Sequence, residues 1–167
     1  MRPVYAIHKI FPRNDLEHGW TTWHQQCSVP DAVSENGKVK SILLVDDDPE
    51  FLKALTKVLE KERYEVAAQA DAGSAIRFIN ETKKRFDLVI TDVSMPGMKG
   101  TTFLAAVKTA FPRLPVIVIT AFGDWGQYME ALREGAHEYL SKPVDKADLL
   151  DAVHRALGNG THPASTV

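Results

Sequence analysis

Three aspartates in a row, Asp46, Asp47 and Asp48, directly follow the apolar run 42–45. Asp92 closes a second apolar run, 88–90, Thr120 follows a third, 116–119, and Lys142 comes two residues after a short strand-like stretch, 138–140. Carboxylates gathered in one crevice repel each other, by about 4 kcal/mol for two unit charges ~4 Å apart at an effective dielectric of 20. A bound divalent cation relieves that repulsion. Hard, oxygen-only donors with few side chains suit Mg²⁺, which keeps several of its waters. A lysine beside them can hold an anion or a carboxylate, and a threonine supplies a hydroxyl donor. Acid, cation, amine and hydroxyl together make a site for phosphoryl transfer, with a carboxylate able to serve as nucleophile.

Taken singly, each element has a plainer explanation. An acid run commonly marks a solvated loop or a helix N-terminus, where the macrodipole favours negative charge. Asp92 stands just before Met95-Pro96-Gly97, so it also reads as a turn residue. Lys142 precedes Pro143 as many exposed lysines do, and Thr120 is an ordinary β-branched strand end. The joint placement after four separate strand-like runs is what points to a site. In an open α/β sheet, sites form in the crevice outside the carboxyl ends of the strands.

The elements that must position these residues alternate from Lys40 onward. The spacing predicts strands over 41–45, 64–68, 88–91, 116–119 and 138–140, and helices over 49–60, 72–80, 102–110, 124–134 and 145–157. Pro49 sits in a first helical turn, where its missing N–H costs nothing. Phe51, Leu52, Leu55, Val58 and Leu59 form an apolar helical stripe. Gly135 and Gly158 stand where left-handed helix terminators belong, and Asp145 where an N-cap belongs. Five strands alternating with five helices predict an α/β flavodoxin-like (βα)₅ three-layer sandwich. Continuous apolar strands predict a parallel five-stranded sheet covered on both faces, with 2-1-3-4-5 the favoured strand order.

Composition bounds the function. The chain has 167 residues, enough for one ordinary domain plus an appendage. Hydrophobic residues at 44% and charged residues at 25% are those of a soluble globular protein. A net charge of −2 gives no general attraction to nucleic acid or anionic membranes. No apolar run approaches the ~20 residues needed to span a bilayer, and no secretion signal opens the chain. The single cysteine, Cys27, excludes an intramolecular disulfide, so a cytoplasmic location is expected. Residues 1–39 hold Trp20 and Trp23 and show no sustained period, and 34–40 is polar enough for a linker. They read as an N-terminal extension, irregular or partly disordered, followed by one domain over 40–158 and a tail over 159–167. His18, His24 and Cys27 fit no strong zinc spacing. Trp20 and Trp23, three apart, suit one face of a docking helix or packing on the domain.

Four blocks carry a family resemblance: Leu44-Val45-Asp46-Asp47, Asp92-Val93-Ser94-Met95-Pro96-Gly97-Met98-Lys99-Gly100, Thr120-Ala121 and Tyr139-Leu140-Ser141-Lys142-Pro143. In order and spacing, residues 40–157 resemble a receiver domain of the response regulators of bacterial two-component signalling. The resemblance implies a phosphoacceptor signalling domain, not a turnover enzyme. Asp92 would accept a phosphoryl group from a sensor histidine kinase, a histidine phosphotransfer protein or a small-molecule donor. Mg²⁺ would be held by Asp47 and Asp92, by Asp46 through a bound water, and by the Ser94 backbone carbonyl. Thr120 and Lys142 would bind the phosphoryl oxygens, and Thr120 with Tyr139 would form the switch. A cis peptide between Lys142 and Pro143 is implied as well, while Asp48 is left outside the site. The fourth helix, fifth strand and fifth helix would make the face that meets a downstream effector protein or a second copy in a homodimer. The same logic ties phosphoryl lifetime to Ser94 and Phe122, the residues two beyond Asp92 and Thr120.

No basic recognition helix is legible, so direct DNA binding is not expected, and the chain reads as a stand-alone receiver or as the receiver of a longer regulator. A Mg²⁺-dependent phosphatase with an aspartyl-phosphate intermediate would want an acid two residues after its nucleophile, where Ser94 stands. A flavin-binding protein would want a Ser/Thr/Gly loop after its first strand, where the acids 46–48 would repel the phosphate. A receiver indifferent to phosphorylation has no need of the full set Asp46, Asp47, Asp92, Thr120 and Lys142.

Overall fold

The structure, a computed structural model, describes residues 37–82, 84–98, 100–121 and 133–158. Nearly all of the expected helix 124–134 lies outside the described residues, as do Phe122, the tail 159–167 and residues 1–36 with His18, Trp20, Trp23, His24 and Cys27.

The described residues form five strands: β1 (Ser41–Val45), β2 (Glu65–Gln69), β3 (Leu88–Thr91), β4 (Val116–Ala121) and β5 (Glu138–Lys142). All pair in parallel, in the order β2-β1-β3-β4-β5. The described helices are α1 (Pro49–Lys61), α2 (Ala72–Glu81), α3 (Gly100–Ala110) and α4 (Lys146–Ala156). The fold is therefore the flavodoxin-like one expected. No described helix is long and apolar enough to cross a membrane.

Strand alternation builds two cores, one on each face of the sheet. Ile42, Leu44, Ile90 and Ile119 pack with Leu55 of α1 and Leu149 of α4. Leu43, Val45, Val89 and Val118 face the other way and pack with Ala75 of α2 and Phe103 of α3. The three inner strands are buried on both sides, which is why their sequences run apolar without a break.

The helix ends follow local chemistry. Asp48 caps α1, its carboxylate accepting from the N–H groups of Glu50 (2.9 Å) and Phe51 (3.2 Å), with Pro49 next in the first turn. Asp145 caps α4 by accepting from the N–H of Asp148 at 2.9 Å. Helix α1 ends on a non-glycine residue in the left-handed region, Arg63 at φ 68°. The Tyr64 N–H reaches the Leu59 carbonyl at 3.1 Å and the Arg63 N–H that of Glu60 at 2.9 Å. These two bonds form a Schellman cap, and buried Tyr64 and Leu59 supply its apolar contact. Tyr64 is thereby used in the cap, and β2 starts one residue later than its apolar pattern indicates.

Two boundaries bear on function. Strands β4 and β5 each run two residues past their apolar stretch, with Thr120 paired to Ser141 and Ala121 to Lys142. Thr120 and Lys142 thus lie on the sheet itself and not in the loops after it. Helix α3 begins two residues earlier than expected, at Gly100, whose N–H donates to the Val93 carbonyl at 3.1 Å.

Candidate functional site

Strand order reverses between β1 and β3, and Asp46 and Asp92 leave the sheet side by side at that point. Val45 and Thr91 are the last register pair, and the Asp92 N–H donates to the Val45 carbonyl at 2.9 Å. Asp46 continues the parity of Ile42 and Leu44, and Asp92 that of Leu88 and Ile90, so both side chains emerge on the α1 face. Lys142 continues the parity of Leu140 on β5 and reaches the same face. Its ammonium donates to Asp46 Oδ2 and to Asp92 Oδ2, at 2.7 Å each. The Phe51 ring of α1 lies 4.3 Å from that ammonium, close enough for a cation–π contact.

The site is dry on one side and open on the other. Asp46 is 3% exposed and Asp92 5%, while Asp47 is exposed. Carboxylate oxygens of Asp46, Asp47 and Asp92 lie within 4.8 Å of one another. Burial lifts the Asp46 carboxyl above its ordinary pKa, more than the Lys142 hydrogen bond and the Asp48 N–H (2.8 Å) bring it down. Burial alone would depress the Lys142 ammonium, but the hydrogen bonds to Asp46 and Asp92 outweigh it and hold the lysine above its ordinary value. Among the described residues one cation therefore faces three acids, and that cluster keeps an excess of negative charge. Three hard oxygen donors with surplus charge at a solvent-open rim fit a small divalent cation such as Mg²⁺.

Thr120 points to the opposite side of the sheet from Lys142, being of opposite parity on the adjoining strand. It is 1% exposed, and its hydroxyl is 3.0 Å from that of Ser94. The Ser94 N–H donates to Asp92 Oδ1 at 2.8 Å, so Ser94 links the acid to the threonine. Tyr139 pairs in register with Val118 and packs half-buried on the α2/α3 core, on the same sheet face as Thr120. The Lys142–Pro143 peptide is cis.

The geometry thus gathers Asp46, Asp47, Asp92, Ser94, Thr120 and Lys142 at one rim, with Tyr139 a strand away. Asp48 is turned aside as a helix cap, and Pro49 at the next position is the signal that marks it as one. Sequence reasoning gives Ser94 a backbone carbonyl for the metal and a part in phosphoryl lifetime, but no contact with Thr120, and it assigns Phe51 to the core stripe alone. Pairing between side chains far apart in sequence leaves no local trace.

Gly100 supports this rim from behind. A Cβ there would lie 2.3 Å from the Asp92 carbonyl oxygen and 2.3 Å from Val93 Cα. Only glycine lets α3 start so close to the backbone of the acid. Gly100→Ala is expected to cost about 1–3 kcal/mol, the usual penalty of overpacking, read as a lower urea midpoint at unchanged slope.

A parallel α/β sheet with an acidic, lysine-bridged hollow at its switch point defines a flavodoxin-like protein of the CheY-like kind. Residues 42–154 match the model of the response regulator receiver domain, and the chain belongs to that family. It is 42% identical over 118 residues to the response regulator protein FleR of Pseudomonas aeruginosa, covering 70% of this chain and 24% of that one. It is 41% identical over 108 residues to the two-component response regulator ARR11 of Arabidopsis thaliana, covering 65% and 20%. The chain spans roughly a quarter or less of the length of these relatives. Among solved structures, a receiver domain protein from Clostridium thermocellum superposes with a TM-score of 0.68 at 34% identity, over 72% of this chain and 95% of that one. A CheY-like receiver domain protein from Methanospirillum hungatei gives 0.69 at 33% identity, over the same shares. Both likenesses concern the receiver fold and extend over nearly the whole of each solved chain.

Proposed function

We propose that this receiver is operated by phosphorylation of Asp92. An Asp92 carboxylate oxygen forms a bond to phosphorus as the phosphorus–nitrogen bond of a donor phosphohistidine breaks. The imidazole leaves with that electron pair, and an acyl phosphate remains on the protein. The donor is a sensor histidine kinase or a histidine phosphotransfer protein. The reader is an effector protein, and residues 40–158 act as the switching unit between them in the cytoplasm.

Mg²⁺ is the expected cofactor; Asp47, Asp92 and the Ser94 carbonyl would hold it, with Asp46 acting through a bound water, and when bound it would supply charge neutralisation for the phosphoryl oxygens. Lys142 adds a second positive charge and Thr120 a hydroxyl donor. An aspartyl phosphate brings extra negative charge and strong acceptor oxygens to the rim. Thr120 gains its hydrogen bond to them only in that state, and a contact made in one state alone is what shifts a conformational equilibrium. Tyr139 turns with it. The readout and homodimer face comprises the segment before β5, β5 itself and α4, and the first of these lies mostly outside the described residues.

The observation that carries this reading is the pair of hydrogen bonds donated by Lys142 to Asp46 and Asp92, at 2.7 Å each, beside the exposed Asp47. Acetyl phosphate with Mg²⁺ is expected to leave a labile phosphoryl adduct on Asp92, found by mass spectrometry and absent from Asp92→Asn. An adduct that persists in Asp92→Asn, or none in the wild type, would refute the assignment.

A further inference from the structure

We propose that residues 16–27 form an arm that folds back onto the domain and seats its apolar stripe in the open groove between α1 and α4. The seat does not depend on the role proposed for Asp92.

The groove has a volume of about 610 Å³ and runs between the outer face of α1 and the segment 142–149. Phe51 and Val58 of α1 line it together with Val144. All three are half-buried, packed on the α1/α4 core on one side and open on the other. Lys142 stands at the end nearest the acidic rim, its ammonium 4.3 Å from the Phe51 ring. A lining of this kind takes apolar side chains, aromatic ones above all, since each tryptophan offers about 150–250 Å² to bury.

The chain itself carries such side chains, within reach. Leu16, Trp20, Trp23 and Cys27 recur at spacings of four, three and four, which places them on one face of a helix. Gly19 and the short length make that helix marginal in isolation, so the groove is what would order it. Lys40 has the parity of Ile42 and Leu44, and its ammonium meets the Leu157 carbonyl at 3.3 Å, so the chain enters the domain on the α1/α4 face. From Lys40 to the rim is about 20 Å of strand, at ~3.3 Å per residue. Residues 28–36, fully extended, span up to about 30 Å. The whole groove therefore lies within the tether's range. A short tether holds its own arm at about 1 mM, whereas the arm of a second copy must be captured from solution.

The test is brief chymotrypsin digestion of the full chain, with mass spectrometry timing the cuts after Trp20 and Trp23 while buried Phe103 stays uncut. At an effective concentration of about 1 mM, a seat with a dissociation constant on the order of 0.1 mM is filled in about nine molecules of ten. Cleavage tracks the open fraction. Ala54 is an exposed α1 residue lining the groove, so Ala54→Arg and Ala54→Glu obstruct the seat from the surface of the helix. Both are expected to speed the two cuts about tenfold over wild type. Ala106→Arg makes the same change on the exposed side of α3, across the sheet, and is expected to leave the rate unchanged. Wild type cut as fast as the Ala54 variants overturns the seat and leaves the groove to another partner. A gain with only one of the two charges, or an equal gain in Ala106→Arg, overturns it as well. Protection that rises between low and high micromolar protein assigns the groove to the arm of a second copy and overturns the folded-back arm.

Discussion

Lys142→Met is expected to lower the stability of the metal-free protein by about 2–3 kcal/mol at neutral pH and to abolish phosphoryl uptake by Asp92. Breaking a buried ion pair by removing one partner costs about 3–5 kcal/mol, because the remaining charge stays buried and uncompensated. Here the lysine side chain is 23% exposed, so solvent screening takes the figure below that range. Two carboxylates lose their shared partner at once, since the same ammonium bonds Asp46 and Asp92. The deficit also depends on pH in a definite direction. Asp46 already stands above its ordinary pKa through burial, and the Lys142 hydrogen bond is the largest influence holding it down. A carboxyl raised above its unfolded value of about 3.9 binds more protons folded than unfolded, so stability falls as pH rises between the two. Loss of the lysine widens that window. Urea unfolding in EDTA is expected to show a small deficit relative to wild type near pH 4.5 and the full deficit near pH 7. A deficit independent of pH, or none, would mean that Lys142 does not compensate these acids.

The parts of this molecule that were legible in advance share one physical property: their signal is local. Apolar runs of three or four residues such as 88–90 and 42–45 announce strands buried on both faces, and burial on both faces requires a parallel sheet with helical cover. The acids after those runs then fall at the switch point by topology alone. Legibility fails where a contact depends on which face a side chain takes and on what crosses it. Thr120 and Lys142 were read as lying just past their strands, because a polar residue interrupts the apolar pattern there. The ladder continues through both, since a strand end at an active rim keeps its backbone pairing while its side chains turn polar. The Phe51 ring was read as core, and half of that is right, for it packs against the α1/α4 core while its face meets Lys142. Arg63 gave no sign of a left-handed terminator, because the signal sought there is glycine. Gly100 stood in a motif quoted for its resemblance, and its reason appears only when a Cβ is placed against the backbone of residues 92 and 93.

The same crowding that makes the rim fit for a cation makes it a source of instability without one. Asp47 is the member of the cluster best suited to expose this tension. Its carboxylate lies within 4.8 Å of those of Asp46 and Asp92, while the lysine bonds are made to the other two. Two unit charges ~4 Å apart repel by about 4 kcal/mol at a dielectric of 20 and by about 1 kcal/mol in bulk water; exposed Asp47 belongs near the lower figure. Asp47→Asn is therefore expected to stabilise the metal-free protein by about 1 kcal/mol, keeping the shape of the side chain while removing its charge. Mg²⁺ at a hundredfold excess over its dissociation constant adds about 2.7 kcal/mol to a protein that binds it only when folded. Wild type is expected to gain that increment and Asp47→Asn to lose most of it. The order of stabilities should thus invert, with the variant ahead in EDTA and wild type ahead in saturating Mg²⁺. Paired urea titrations under the two conditions measure the inversion directly. A variant less stable than wild type in EDTA would mean that the carboxylate makes a structural bond outweighing its repulsion. A full Mg²⁺ increment in the variant would place the cation elsewhere. The inversion itself cannot arise from a simple loss of packing, which would shift both titrations the same way.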